Sequence, residues 1–238
     1  MMQTLNLYNI QYTRLNPMTW CATAEVTAPF SQNRVDLLSN SPVPSARETA
    51  YHQRMQQRAG VRLLLQSLLD KLNIIDSLDD TSFPYRLVDN QYYVCFSHTG
   101  ASNKPANHKH KNEKSFEGLD NKVAVVISPY CPAGIDIEVN NVKWQVVQRF
   151  YHANEIVILQ TLPTVQRDII AKLLWQIKES FIKIYHYKLA QGLGMDYSYL
   201  IANLIRGATS NSPLLVFSDN KSNYYITLSL YQQTVIVH

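Results

Sequence analysis

The sequence predicts an α+β chain with two lobes and a cleft between them. Three observations predict it. Two long stretches, one in each half, repeat their apolar residues with helical periodicity. Each is accompanied by short runs rich in Val, Ile, Tyr and Thr that read as strands. The order is strands, helix, hairpin, strand, then strand, helix, helix, hairpin, so the halves have similar content.

Residues 1–30 hold two strand-like runs, LNLYNIQY and TWCATAEV. Residues 31–46, with Ser, Asn, Pro42 and Pro44, read as a loop. Ser45 then suits an N-cap, and Glu48 stands at the capping-box position. The helix predicted over 47–72 repeats Val61, Leu65, Leu68 and Leu72, widened by Leu64 and Leu69. Its first turns carry Arg47, Tyr51, Arg54, Arg58 and Arg62 at the same spacing. Such a row suits an anion, although a solvated basic face has the same pattern.

YRLVDNQYYVCFSHTG reads as a hairpin with Asp89 and Asn90 at its turn. Residues 102–122 are polar, rich in His and Lys and without period, which predicts a mobile surface loop. A buried strand runs from Val123 to Ser128. After the turn PYCPAG comes the strand IDIEV, and 143–160 look helical. The helix over 165–187 has the stripe Ile169, Ile170, Leu173, Leu174, Ile177, Phe181 and Ile184. PLLVF, YYITLSLY and TVIVH then read as strands.

Composition narrows the function classes. With 46% apolar residues, the 238-residue chain is not a disordered protein. Charged residues are only 17%, yet the net charge is +4, which favours an anionic partner. Cys21, Cys95 and Cys131 lie far apart without CxxC spacing, which argues against a disulfide framework and a structural zinc site. The N-terminal segment has no basic or apolar region of a signal peptide, and no stretch reaches the ~18 apolar residues of a span. A cytoplasmic protein away from membranes is expected. Nucleic-acid binding is not, because the arginines sit on one helix with only Tyr51 interleaved.

The chemistry-bearing residues cluster in three places. In GIDIE, Asp136 and Glu138 are two apart, so in a strand they share a face. Paired carboxylates repel and lose solvation, and an oxygen-preferring divalent cation removes both costs. A strand whose polar face meets solvent is the alternative for a bare DxE. Gly134 before the pair permits a close backbone approach or a bend. On the second long helix, Lys172, Gln176, Glu179 and Lys183 share a face. Glu179 and Lys183 are either an exposed i,i+4 ion pair or a third carboxylate with a phosphate-binding ammonium. His98, between Ser97 and Thr99 at a strand end, suits a phosphate or ribose, or is satisfied by backbone.

Read in order, the arginine helix, FSHTG (96–100), AGIDIE (133–138), QRFYHANEI (148–156) and WQIKESFIK (175–183) resemble the Sfp-like 4′-phosphopantetheinyl transferases. The resemblance covers roughly residues 45–200 and rests chiefly on GIDIE and WQIKESFIK. It implies a monomer of two pseudo-symmetric α/β lobes, here 1–130 and 131–238, with the active site in the cleft. The implied reaction moves the phosphopantetheine arm of coenzyme A onto a serine of an acyl or peptidyl carrier protein, releasing 3′,5′-ADP.

The same resemblance implies roles for individual residues. Asp136, Glu138 and Glu179 would hold Mg²⁺ or Mn²⁺, with Glu155 as an additional acid. Glu179 is the first choice of base, with Glu138 and Glu155 behind it, and Lys183 would steady the phosphate in transfer. Lys178 would be a second phosphate contact. Ser97, His98 and Thr99, with Arg54, Arg58 and Arg47, would hold the 3′-phosphate side of coenzyme A. Residues 89–92 stand where the family usually has GKP, and a tyrosine there could stack on adenine. The lysines of the 102–122 loop would face an acidic carrier. A homologue that binds coenzyme A or the carrier without transfer, and a Mg²⁺-dependent nuclease or phosphatase, are the competing classes.

Overall fold

A computed structural model describes residues 5–27, 46–99, 121–210 and 212–238. It is α+β, built from two open antiparallel sheets. The first sheet comprises β1 (Asn6–Arg14), β2 (Trp20–Thr27), β3 (Leu78–Asp79), β4 (Tyr85–Leu87), β5 (Tyr93–Thr99) and β6 (Asn121–Ser128). Its spatial order is β1-β2-β6-β5-β4-β3. The long helix α1 (Ala46–Lys71) packs the predicted stripe, Val61, Leu64, Leu65, Leu68 and Leu69, onto Val26, Val94, Val123, Val125 and Ile127.

The second sheet comprises β7 (Gly134–Ile137), β8 (Leu215–Ser218), β9 (Tyr225–Ser229) and β10 (Thr234–Val237), in the order β7-β10-β9-β8. The helix α4 (Thr164–Tyr185) lies across it, burying Ile170, Leu174, Ile177 and Phe181 with Ile226, Leu228, Val235 and Val237. A third cluster joins the sheets. Cys21, Cys95, Ala124 and Val126 from the first meet Ile135, Ile137 and Ile236 from the second.

Several expectations are corrected. The helix over 143–160 is two helices, α2 (Trp144–Phe150) and α3 (Ala153–Thr161). The break comes at Tyr151 and His152, which are extended, and His152 with Glu155 forms a capping box that starts α3. Two helices not expected from the sequence come after α4, namely α5 (Leu189–Leu193) and α6 (Ile201–Ala208). Asn121 and Lys122, placed in the loop by composition, begin β6 and pair with Val26 and Glu25. Ala46, the last residue of the predicted 31–46 loop, begins α1; the rest of both loops and the Ser45 and Glu48 side chains lie outside the described residues.

Candidate functional site

The site forms where β7 is clasped between α4 and β5. Gly134 makes the α4 side possible, since an added Cβ would stand 2.2 Å from the Ser180 carbonyl oxygen. Two α4 side chains then reach the β7 backbone. Gln176 Nε2 donates to the carbonyls of Asp136 (3.2 Å) and Gln233 (2.7 Å), and Lys183 Nζ donates to the carbonyl of Ile135 (2.6 Å).

On the other side the alternation of two strands matches. Ser97 Oγ donates to Asp136 Oδ1 (3.0 Å), and Thr99 Oγ1 donates to Glu138 Oε1 (3.2 Å). Ser97 Oγ also accepts from the Ile137 N–H at 3.1 Å. Glu138 is held further by the Asn140 N–H at 2.8 Å.

Lys183 Nζ lies 3.1 Å from Asp136 Oδ1 and is mostly buried. Its carboxylate partner is therefore Asp136, and the exposed helix pair with Glu179 does not form. Burial alone would lower the Lys183 pKa, but Asp136, Cys95 and Glu179 outweigh it and hold the ammonium above its ordinary value. Glu179 is half-buried. Desolvation first, then the Asp136 charge, with a smaller contribution from Glu138, raises its carboxyl, against an opposing pull from Lys183. Asp136 is raised by burial, partly offset by Lys183 and Ser97.

Asp136 and Glu179 thus both feel the Glu138 charge, and Glu179 that of Asp136, with Lys183 as the ammonium among them. Carboxylate oxygens are the donor type that a hard divalent cation such as Mg²⁺ or Mn²⁺ prefers. Among the described residues no three His, Cys, Asp or Glu side chains stand together as a group that could hold a metal ion.

Lys183 also lines a cavity of about 480 Å³. From β5 it is lined by Cys95, Phe96 and His98, beyond Tyr93 and Val94, where β4 pairs with that strand. One set of lining side chains is basic: Arg58, Arg62, His98 and Lys183. Another is aromatic: Phe83, Tyr85 and Phe96, with the Tyr85 ring 5.3 Å from Phe83 and 6.0 Å from Phe96. Asp80 neutralises part of Arg62 through an ion pair. Burial, then Lys183 and Arg58, lower the His98 pKa below its ordinary value.

The structure brings together Asp136, Glu138, Glu179, Lys183, Ser97 and Thr99, with His98 and Arg58 at the cavity. Arg54 and Arg47 are exposed on α1 and are not among the lining residues. Two expected residues are elsewhere. Lys178 is fully buried and cannot contact a phosphate, because Nζ donates to the Leu193 and Met195 carbonyls and pairs with Glu155 Oε2 at 2.9 Å. Glu155 is equally buried and accepts from the His152 N–H (3.0 Å) and the Tyr197 N–H (2.9 Å). Glu155 is thus engaged by the cap of α3 and by Lys178. Tyr92 packs on the α1 core instead of lining the cavity. Arg62, Phe83 and Tyr85 are lining residues missing from the expected site; only Arg62, in the basic row of α1, had a sequence signal.

No protein-family model matches the chain, and no curated protein matches it.

Proposed function

We propose that the protein is a 4′-phosphopantetheinyl transferase, moving the phosphopantetheine arm of coenzyme A onto a serine of an acyl or peptidyl carrier protein. The reading includes two pseudo-symmetric lobes, 1–130 and 131–238, a monomeric cytoplasmic enzyme and a required Mg²⁺ or Mn²⁺. The observation that carries it is the double position of Lys183, against Asp136 on one side and in the basic, aromatic cavity on the other. Cations and ring faces beside a carboxylate cluster suit a nucleotide pyrophosphate. Among the described residues no helix is long and apolar enough to cross a membrane.

In the reaction, the carrier serine oxygen forms a bond to the β-phosphorus of coenzyme A. The bond from that phosphorus to the bridging oxygen breaks, and 3′,5′-ADP leaves with the electron pair. Glu179 takes the serine proton as the general base. Lys183, held protonated, faces the charge that develops on the phosphoryl oxygens. Asp136, Glu138 and Glu179 would hold the cation, which when bound neutralises the pyrophosphate and the departing group. Arg58 and His98 orient the nucleotide end, and Phe83, Tyr85 and Phe96 offer faces for its base.

The test is intact mass of an apo acyl carrier protein incubated with this protein, coenzyme A and Mg²⁺. The expected gain is about 340 Da, lost with EDTA and with Glu179→Ala. No gain with several carriers, but saturable coenzyme A binding, would replace this reading with that of a non-transferring binder. Neither transfer nor binding would overturn both.

A further inference from the structure

The connection from β3 to β4, residues 80–84, borders the main cavity with Asp80 and Phe83. It is fastened at two points. Phe83 sets its ring 4.7 Å from that of His186, just past the end of α4. Asp80 pairs with Arg62 of α1. The Asp79 carboxylate accepts from the Thr81 N–H (3.0 Å) and hydroxyl (2.6 Å), which steadies the backbone on both sides of Asp80. The Asp80 carboxylate can therefore leave Arg62 by rotation of its own side chain, with the connection still in place.

Arg62 is engaged at both terminal nitrogens. Nη1 donates to the Arg58 carbonyl at 3.1 Å, and Nη2 donates to Asp80. Arg58 lines the same cavity, and among the described residues no acid pairs with it. Guanidiniums four residues apart are neighbours on a helix, so Arg58 and a released Arg62 can hold one phosphate between them. The pair that restrains Arg62 is a weak one. The Arg62 side chain is 46% exposed and that of Asp80 42%, and an exposed ion pair contributes little in water. A phosphate monoester carries about two negative charges at pH 7 and three acceptor oxygens, so it outcompetes a single carboxylate for a guanidinium.

We infer that Asp80 is an internal competitor at the phosphate end of this cavity. It occupies Arg62 in the free protein, and a ligand phosphate gains Arg62 as the carboxylate swings away. The free cavity thus presents Arg58 alone, and the loaded cavity presents both arginines. The inference rests on the reading of the cavity as a nucleotide site. Its consequence is a limit on affinity that applies to the leaving group, 3′,5′-ADP, as much as to coenzyme A.

Calorimetric titration of the full chain with 3′,5′-ADP tests this without carrier protein, metal or transfer. The proteins are the wild type, Asp80→Asn, Arg62→Ala and the double variant. The salt is about 0.15 M, where charges beyond about 8 Å are screened. Asp80→Asn keeps the shape of the side chain and removes its charge. It binds the probe about threefold to fivefold more tightly than the wild type. In the Arg62→Ala background the same substitution gains about twofold at most, because there is no guanidinium left to release. An equal gain in both backgrounds would make Asp80 a general negative charge at the rim and overturn the inference. Unchanged binding by Asp80→Asn would also overturn it. Weaker binding would do so too, by showing that Asp80 orients Arg62 towards the ligand. No saturable binding by any of the four proteins would overturn the nucleotide reading of the cavity, and the inference with it.

Discussion

The Ser97 hydroxyl sits 3.0 Å from Asp136 Oδ1 and 3.1 Å from the Ile137 nitrogen, so one β5 side chain fixes both a β7 carboxylate and the backbone beside it. Ser97→Ala leaves a buried N–H without its partner and the carboxylate without its donor. The expected loss is about 1–3 kcal/mol of stability. Urea denaturation measures it, and an unchanged midpoint would show that the clasp is incidental.

The two motif lysines should behave in opposite ways. Lys178→Met strands the buried Glu155 carboxylate, at a cost of about 3–5 kcal/mol. Lys183→Met also takes the ammonium from Asp136, but that carboxylate keeps the Ser97 hydroxyl, so this variant should lose less stability than Lys178→Met while losing transfer. Denaturation curves for both variants beside a transfer assay separate the roles. A stable Lys178→Met that loses only activity would return Lys178 to the site.

Gly134→Ala inserts a methyl group against the Ser180 backbone, which no side-chain rotation relieves. About 1–3 kcal/mol of destabilisation is expected as α4 is pushed from β7. Transfer should fall further than stability, because the same shift separates Asp136 from Glu179 and Lys183. Comparing kcat with the unfolding midpoint tests this, and wild-type kcat in the variant would refute it.

His98 should titrate below the ordinary histidine value of 6.5. With the folded pKa depressed, its contribution to stability is present above pH 6.5 and is lost as pH falls through the folded value. Arg58 is one of the charges that lower it, so Arg58→Ala moves the titration up. Histidine NMR against pH reads both. A midpoint at or above 6.5, or a downward move in the variant, contradicts the assignment.

Much of the frame was legible in the sequence because it is periodic. Val61 to Leu69 and Ile170 to Phe181 repeat at helical spacing and form the buried faces of α1 and α4. The two-residue spacing of Asp136 and Glu138 was equally readable, and Ser97 and Thr99 share it. Lys178 carried a readable signal that pointed inward. It lies four residues after Leu174 and three before Phe181, within the apolar stripe, and the stripe carries it into the core. Likewise Leu200, Ile201, Leu204 and Ile205 have the spacing of the unpredicted α6. The main cavity had no local signature. Phe83 and Tyr85 come from the short strand β4 and its approach, and they meet Arg58 and Lys183 only through the packing of distant elements.

The packing of α4 makes chain length, as well as residue identity, a determinant of the site. Lys178 and Lys183 differ by five residues, enough to turn one into the core and the other onto β7. One residue inserted directly after Lys178 would rotate everything downstream by about 100°. Lys183 would leave Asp136 and Phe181 would leave the core, although no existing side chain had been changed. A frame-preserving insertion there should therefore be more damaging than most point substitutions, whereas the same insertion in the turn between β8 and β9 would leave the register of α4 untouched.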